Sequence, residues 1–536
     1  MKWTLRSLAL VFMLTGLIAS ALSQVGTYTG LSGFWDYQTN YRTNQYIRIC
    51  PNTYMVHVIM MVADDSLNPS TSRRTAYAFS SNGGWTWNRF NEIRVPPRRS
   101  GFPSLDIGQG PNSCYPIISN HSTIGGSLQS TIFVDAPPGG GAFTEIVPPS
   151  SLGGDDPGFP EVAGAADGSV ILLGSRFAAG SLHVARTADF ISWSPWGTLT
   201  PDFVSDGFVT EANTTGRVGV AVATPEGPLL WYESTNNGAT WPATPTQLLP
   251  DLIPVGNDTY VIQQGIDFVY LDGDTLVSFG VTKLVGGVPT QRDQGIGFWS
   301  EHTGFVLAVP HNSVTGAIDT LLKRQVNQNT VGYPAIGLSG STIVIAFQAY
   351  MRDTSASGFN YADVFYTTSR NRGITWSQPM NISSSRFVDE RYPSISKWNF
   401  PDVQPAIVYQ QDSEPGSAAF GDGAPLSRVR QMFCRIGPII SVDPTPNVPQ
   451  EFTLSQNYPN PFNPTTSISF TISHPSFVTL KVYNLLGQEM RTLVGEMLDG
   501  GRHRVEFNAE GLPSGVYVYR IQSGSNVATR KMVFLK

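Results

Sequence analysis

Short apolar runs bounded by Gly, Asp, Asn or Pro follow one another along most of this 536-residue chain. The stretch GYPAIGLSGSTIVIAFQAY, which begins at Gly332, shows the pattern, because two alternating runs flank a Leu-Ser-Gly-Ser turn. Alternation of this kind predicts antiparallel β-hairpins, and almost no window shows the period of a helix. The pattern therefore predicts an all-β protein.

An eight-residue motif, Ser-x-Asn-x-Gly-x-Thr-Trp, interrupts these runs three times. We call each copy an octet, and the fixed residues are Ser80, Asn82, Gly84, Thr86, Trp87; Ser234, Asn236, Gly238, Thr240, Trp241; and Ser369, Asn371, Gly373, Thr375, Trp376. Weaker relatives are TADFISW at 187–193, SEHTGFVL at 300–307 and VDAPPGGGAF around Asp135. We expect the Asn to bond backbone groups two residues on, the Gly to take a positive φ, and the Trp to bury its face against the sheet.

A second repeat has an independent period. GFPSL, GFPEV, GYPAI and RYPSI place aromatic residues at 102, 159, 333 and 392, so the gaps are 57, 174 and 59, and the long gap is three times 58. The strand-like stretches at 46–49, 217–223 and 266–274 fill the missing positions. These units predict radial repetition of small four-stranded antiparallel sheets, about seven in number, with six as the alternative.

The octets resemble the Asp-box, or bacterial neuraminidase repeat, of sialidase-like β-propellers, with Asn in place of the usual Asp. The resemblance implies a propeller over residues 24–440, in which each octet is a structural turn on the outer side of a blade. Enzymes and non-catalytic binding propellers share this box, so it implies a fold and not a reaction.

The same resemblance implies a catalytic set of three arginines, a Tyr–Glu pair and an Asp, with one arginine in an Arg-Ile-Pro motif. Here Arg48-Ile49 is followed by Cys50 and only then by Pro51, which makes Arg48 a weak catalytic candidate and a strand arginine the alternative. Four more arginines lie in different units and could converge at the axis: Arg186, Arg292, Arg391 and Arg430. No complete catalytic set is assignable, which favours a protein that is not an enzyme.

Other chemistry is sparse. The acidic pairs Asp64-Asp65 and Asp155-Asp156 and the turn Asp272-Gly273-Asp274 are typical of solvated loops, and Trp231-Tyr232-Glu233 is typical of a core strand. No spacing predicts a metal site or a cofactor. A disulfide between Cys50 and Cys434 is one interpretation and reduced buried thiols are the other, with Cys114 left over. A net charge of −6 without a basic run excludes a nucleic-acid surface.

The two ends carry export signals. Residues 1–23 have a positive start, an apolar run and small residues before Gln24, which predicts a secretory signal peptide and no later transmembrane segment. Residues 441–450, SVDPTPNVPQ, predict a semi-rigid linker. Strong alternation over 451–536 predicts a β-sandwich of the immunoglobulin-like type.

The C-terminal segment closely resembles the type A sorting domain of the bacterial type IX secretion system. The matching residues are Asn457, Tyr458, Pro459, Asn460, Pro461, Phe462, Asn463, Pro464, Gly487, Gly515 and Tyr517. The resemblance implies recognition by the outer-membrane translocon and a surface peptidase, and a secreted or cell-surface location. The whole sequence favours an exported, non-catalytic surface propeller that binds glycan or protein or has a structural role. The alternatives are a sialidase-like exo-glycosidase acting on extracellular glycans and a component of a cell-surface assembly that has no small ligand.

Overall fold

The computed structural model describes residues 26–51, 53–88, 93–96, 98–110, 113–124, 127–148, 156–176, 180–200, 207–323, 327–399, 405–436, 452–472, 476–485, 487–498, 501–523 and 526–536. The predicted signal peptide at 1–23, the linker at 441–450 and Asp155 lie outside these residues. The chain divides into two compact units between Ser441 and Val442. Among the described residues, no helix has the length and apolar character needed to cross a membrane.

The described residues of the first unit form seven sheets of mainly antiparallel strands. Their strands, in chain order, are β1 Thr27–Gly33, β2 Ile47–Ile49, β3 Val56–Ala63, β4 Arg73–Ser80, β5 Ile93–Val95, β6 Ser100–Ile107, β7 Pro116–Ile124, β8 Ser127–Asp135, β9 Phe143–Ile146, β10 Gly158–Gly164, β11 Val170–Arg176, β12 Ser181–Thr187, β13 Gly197–Thr200, β14 Phe208–Ala212, β15 Val218–Ala223, β16 Leu229–Ser234, β17 Thr246–Leu249, β18 Ile253–Val255, β19 Asp258–Leu271, β20 Asp274–Val285, β21 Val288–Ser300, β22 Gly304–Val309, β23 Val331–Ser339, β24 Thr342–Thr354, β25 Asn360–Ser369, β26 Met380–Asn381, β27 Asp389–Ile395, β28 Trp398–Asn399, β29 Ala406–Asp412 and β30 Val429–Arg435. Among the described residues of this unit, one short helix, α1, spans Pro69–Ser72, and two 3-10 turns span His311–Ser313 and Ala418–Phe420.

The sheets form a closed ring. Sheets 1 to 4 are β2–β5, β6–β9, β10–β13 and β14–β17; sheet 5 is β18–β22; sheet 6 is β23–β26 with β28; and sheet 7 is β27, β29, β30 and β1. The first strand of each sheet contacts the preceding sheet, except in sheet 5, where the second strand, β19, contacts β14 and β15 of sheet 4. The strands β1 and β27 of sheet 7 contact sheet 1. The N-terminal strand β1 thus completes sheet 7 by pairing with β30, Thr27 opposite Phe433. This closed ring of small antiparallel sheets is the all-β propeller that the repeats predict.

The second repeat marks a bulge in the first strand of a sheet. Phe102, Phe159, Tyr333 and Tyr392 all have positive φ, between 48° and 56°, and the pairing register shifts at each of them. A left-handed backbone is costly for a bulky residue, and it persists only where its surroundings fix it. The rings of Phe102 and Phe159 pack edge to face with centroids 4.7 Å apart, and those of Tyr333 and Tyr392 do so at 5.8 Å, so the bulged aromatics of neighbouring sheets meet.

A segment of the chain runs through the ring between β1 and β2. We call residues 34–46 the axial segment; all of it is buried or half-buried. Its Arg42 donates to the carbonyls of Phe159 and Pro160 in sheet 3, and the amide of Thr43 donates to Ile266 O in sheet 5. Gln45 O accepts from the amide of Leu105 in sheet 2. The chain itself therefore fills the centre of the propeller at this level.

The second unit is a small two-sheet β module, as alternation predicts. One sheet has β31 Thr453–Leu454, β32 Thr465–Ile472 and β35 Gly501–Asn508; the other has β33 Ser476–Tyr483, β34 Glu489–Leu498, β36 Gly515–Ser523 and β37 Asn526–Phe534. Its core includes Phe462 and Tyr517. Asn457 is buried and donates to Pro459 O and Thr466 Oγ1, at 3.0 Å each, so the Asn-Tyr-Pro run is held against β32.

The disulfide differs from the sequence interpretations. Cys50 pairs with Cys114, 64 residues away, whereas Cys434 is a buried thiol. The closing bond between Cys50 and Cys434 and the fully reduced alternative are both wrong, because the loop between β6 and β7 lies beside the end of β2. Burial raises the pKa of the Cys434 thiol to about 12, which keeps this thiol protonated and unreactive.

Candidate functional site

The three octets form identical turns between the third and fourth strands of sheets 1, 4 and 6. In the first, Gly84 N–H donates to Ser80 Oγ at 2.8 Å, and Thr86 N–H donates to Asn82 Oδ1 at 2.9 Å. Asn82 Nδ2 donates in turn to Thr86 Oγ1 at 2.9 Å. The corresponding bonds of the other copies are 2.8 to 3.0 Å long. The Asn therefore bonds an amide four residues on, and not two as expected, since the Gly has the positive φ that closes the longer turn.

The octets join neighbouring sheets. The ring of Trp87 meets Phe433 of sheet 7 with centroids 5.2 Å apart, and Trp376 meets Phe298 of sheet 5 at 5.1 Å. A Cβ on Gly84 would lie 2.3 Å from Phe433, and one on Gly373 would lie 2.1 Å from Phe298. The sequence predicts that each Trp pins its own hairpin; the structure shows that it also pins the preceding sheet.

Arg48 lies in the centre of the ring and forms ion pairs with two buried carboxylates. Its Nε is 2.8 Å from Asp106 Oδ1 and one terminal nitrogen is 3.0 Å from Glu211 Oε2, while the other donates to Gln45 Oε1. Arg48 is 2% exposed. With a further bond to Ile47 O, four of the five N–H donors of Arg48 are engaged within the protein, and its side chain bridges sheets 1, 2 and 4.

More buried ion pairs surround Arg48, and together they form what we call the axial network. Arg42 Nε is 3.0 Å from Glu161 Oε1, and Lys397 Nζ contacts Asp267 Oδ1. Burial raises the pKa of Glu161 to about 7 and that of Glu211 to about 8, against the lowering effect of the nearby arginines. The network places charged side chains from the strands of sheets 1 to 5 beside Arg42 of the axial segment and Lys397, which follows β27.

The other arginines do not converge with Arg48. Arg186 pairs with Asp167 at 2.7 Å, Arg391 with Asp389 at 2.6 Å, Arg430 lies over the ring of Tyr28, and Arg292 is exposed. They lie on β12, β27, β30 and β21, respectively. Of these strands only β27 is the first strand of its sheet, as β2 is for Arg48.

The remaining candidates are structural as well. Asp64 pairs with Arg94, and Asp272 and Asp274 both pair with Arg372 of the third octet. Trp231 and Tyr232 are buried in the core. Among the described residues, no group of three His, Cys, Asp or Glu side chains is arranged to hold a metal ion.

A cavity of about 600 Å³ opens between strands β19 to β21 of sheet 5 and the segment that precedes β23, and side-chain amides dominate its wall. We call it the amide cavity; its amide residues are Gln263, Gln264, Gln291, Gln294, Asn327, Gln328 and Asn329. Glu226 is the one charged residue in the described wall. Gln294 Nε2 donates to Asn329 Oδ1 at 3.2 Å, while Asn329 Nδ2 and Gln264 Oε1 are buried without a hydrogen-bond partner among the described residues.

Sequence reasoning missed the amide cavity because its residues come from β19, β21 and the segment before β23. The local signal is visible in retrospect, since Gln263-Gln264 and the run Asn327-Gln328-Asn329 are amide-rich stretches in otherwise apolar surroundings. Which of these amide side chains line a common cavity depends on how the sheets close into the ring.

The chain is thus a β-propeller with a C-terminal β module. Residues 456–535 match the family described as the secretion system C-terminal sorting domain, which supports secreted, cell-surface export. No curated protein matches the chain.

Several solved structures are similar to the chain. The polysaccharide lyase Uly1 is 10% identical, with a TM-score of 0.42 over 77% of this chain and 98% of its own. A Trypanosoma rangeli sialidase in complex with the inhibitor DANA is 10% identical, with a TM-score of 0.34 over 94% of this chain and 88% of its own. A protein of unknown function from Dyadobacter fermentans is 12% identical, with a TM-score of 0.36 over 62% of this chain and 96% of its own. These likenesses assign no activity to this chain.

Proposed function

We propose that this protein is an exported surface propeller that binds a neutral, hydroxyl-rich glycan in the amide cavity without cleaving it. The observation that carries the proposal is the wall of this cavity, in which seven amide side chains accompany a single charged residue. A side-chain amide offers both donors and acceptors, as a sugar hydroxyl does, so paired amides and hydroxyls satisfy each other.

Two unpaired polar atoms strengthen this interpretation. Asn329 Nδ2 is a donor and Gln264 Oε1 is an acceptor, and both are buried with no partner among the described residues. An unmet buried polar group costs about 1–3 kcal/mol, so a ligand that supplies the missing partners recovers part of this cost. Adjacent sugar hydroxyls offer an acceptor and a donor within a few ångströms of each other.

The catalytic alternative lacks support from the described residues. A sialidase-like site requires arginines that are available to a substrate carboxylate, whereas Arg48 and Arg42 are each engaged by buried carboxylates. The amide cavity has no described arginine or lysine in its wall, so a charged sugar acid finds no cation there.

The remaining elements of the proposal follow from the sequence. We propose that the octets are Asp-boxes, that each of the seven sheets is one blade, and that the type IX translocon and a surface peptidase act on the C-terminal unit. Export would place the amide cavity outside the cell, where polysaccharides are the abundant hydroxyl-rich ligands.

A glycan array with the purified chain tests this function. We expect binding to neutral oligosaccharides and none to sialylated ones, with loss of the signal for Gln264→Leu. Asn68, an exposed amide before α1, provides the matched control, and Asn68→Leu should bind as the parent does. Preference for sialylated glycans, or equal binding by Gln264→Leu, would overturn the proposal.

A further inference from the structure

A second cavity, of about 640 Å³, lies at the end of the axis where the first strands of the sheets finish. The turns after β6, β14 and β23 contribute Gly108, Thr214 and Gly340 to its wall. We call it the axial cavity. It is separate from the amide cavity, since the two share no lining residue.

The axial cavity combines an apolar wall with a charged base. Ile49, Pro51, Ile107, Leu338 and Trp398 supply the apolar surface. Trp398 is 38% exposed, so part of its indole is available for contact. Arg48, Asp106 and Glu211 are the charged residues of the described lining.

The axial network has one carboxylate too many. Asp106, Glu161, Glu211 and Asp267 are four carboxylates, whereas Arg42, Arg48 and Lys397 are three cations, and all seven are buried. Arg42 is engaged by Glu161 and Lys397 by Asp267, so Arg48 alone serves both Asp106 and Glu211. A buried carboxylate without a full counter-charge is costly, and either a proton or a cation relieves it.

Glu211 is the carboxylate that a ligand can reach. Its Oε2 accepts from Arg48 at 3.0 Å, and its Oε1 accepts no hydrogen bond from the described residues. Asp106, by contrast, uses both oxygens, because Oδ2 accepts from Gly164 N–H at 2.8 Å. The Glu211 side chain is 4% exposed and lines the axial cavity.

We propose that the axial cavity binds an organic cation with an apolar body, such as a guanidinium or ammonium on an alkyl chain. The cationic group pairs with Glu211 as the missing fourth cation, and the alkyl body packs on Trp398 and Leu338. Trp398 adds the attraction of an indole face for a cation. The apolar wall favours such a ligand over a hydrated metal ion, which needs several oxygen ligands.

The proposal predicts linked proton release. Glu211 is surrounded by Arg48 on β2, Asp106 on β6, Asp267 on β19 and Lys397 after β27, and burial with the two acidic neighbours raises its pKa to about 8. At pH 7 the carboxyl is mostly protonated, so an arriving cation displaces the proton. Because this pKa is raised, the ionised fraction of Glu211 grows as the pH rises above 7, so binding of the cation should tighten with rising pH.

Calorimetric titration of the purified chain with N-butylguanidinium tests this, with N-butylurea as the neutral isostere. We expect binding of the cation, none of the urea, and a proton release at pH 7 that is measured by comparing buffers of different ionisation enthalpy. Glu211→Gln should abolish the binding and Trp398→Leu should weaken it about tenfold, while Trp85→Ala and Asn329→Leu leave it unchanged. If Glu211→Gln does not fold, Trp398→Leu decides the question.

Three results would overturn the inference: equal affinity for the urea, absence of binding at millimolar concentration, or equal affinity of Trp398→Leu and the parent chain. Calcium chloride serves as the inorganic probe, and tighter binding of Ca²⁺ than of the guanidinium would also contradict it. Because Asn329→Leu alters only the amide cavity, failure of this inference and failure of the proposed function are distinguishable.

Discussion

Trp87 packs edge to face against Phe433, with ring centroids 5.2 Å apart, and thereby joins the first octet to the last sheet of the ring. The two residues meet at the closure of the propeller, where β1 pairs with β30. The octet is therefore a device for holding neighbouring sheets together, and its contribution can be measured as stability.

Trp87→Ala should lower the free energy of unfolding by about 3–5 kcal/mol, because it removes a large buried ring and leaves a cavity against Phe433. Trp85, in the same octet, is 83% exposed, so Trp85→Ala should change the stability by less than about 0.5 kcal/mol. Chemical denaturation followed by circular dichroism measures both. Equal effects of the two substitutions would show that the octet does not fasten the sheets.

Arg48→Met should destabilise the fold by about 3–5 kcal/mol, since it leaves Asp106 and Glu211 buried without their cation. Arg292→Met, which alters an exposed arginine, should have almost no effect. Thermal unfolding measures the stability of the two variants. In a separate fluorogenic sialoside assay, the parent chain should show no turnover. Turnover that disappears in a stably folded Arg48→Met would assign Arg48 to catalysis instead.

The stability should also depend on pH through Glu390, which is fully buried and has Oε2 without a hydrogen bond among the described residues. Burial raises its pKa from 4.5 to about 7. The folded state then holds a proton that the unfolded state has lost, so this contribution is complete below pH 4.5 and disappears as the pH rises through 7.

Glu390→Gln should remove that dependence, which is on the order of 1 kcal/mol per pH unit between about pH 5 and pH 7. Urea denaturation of the parent and the variant across this range gives the slope of the unfolding free energy against pH for each protein. Buried histidines have the opposite effect on this slope, but they affect both proteins equally and cancel in the difference. Asp251→Asn, at an exposed acid, is the control and should follow the parent. An unchanged slope in Glu390→Gln would refute the assignment.

Deletion of 450–536 should leave the protein in the periplasm, because the C-terminal unit carries the match to the sorting domain. Cell fractionation and protease shaving of intact cells measure the location. Resistance of the retained propeller to limited proteolysis would show that the loss is one of export and not of folding. Normal surface display of the truncated chain is the contradictory outcome.

Local patterns predicted the fold well, whereas they predicted little of the candidate sites. The octets and the Gly-aromatic-Pro repeats have short fixed spacings. The alternation of apolar residues and the recurrence of these motifs were therefore sufficient to predict a ring of small sheets. The axial segment 34–46 and the pairing of β1 with β30 depend on contacts between residues far apart in the chain, which leave no local pattern.

Two structural details of the repeats could not be predicted from the sequence either. The positive φ of Phe102 and Tyr333 is a backbone property that bulky residues seldom adopt, so the sequence signals only that an aromatic recurs. The stretch at 217–223 was expected to replace a missing copy of the second repeat, which marks the first strand of a sheet. It falls largely on β15, the second strand of its sheet, and not on the first strand, β14. The interpretation of Arg48 required its two partner carboxylates, which come from other sheets.

Calorimetric titration of neutral trisaccharides into the purified chain tests the central claim most directly, because saturable heat reports binding and a continuous heat rate reports turnover. Cellotriose, laminaritriose, mannotriose and galactotriose form the probe series, with 3′-sialyllactose as the charged comparison. We predict saturable heat with at least one neutral trisaccharide, and an affinity at least about tenfold weaker in Asn329→Leu, equivalent to about 1.4 kcal/mol. A continuous heat rate, no heat from any neutral sugar, or equal affinity in Asn329→Leu would contradict the account.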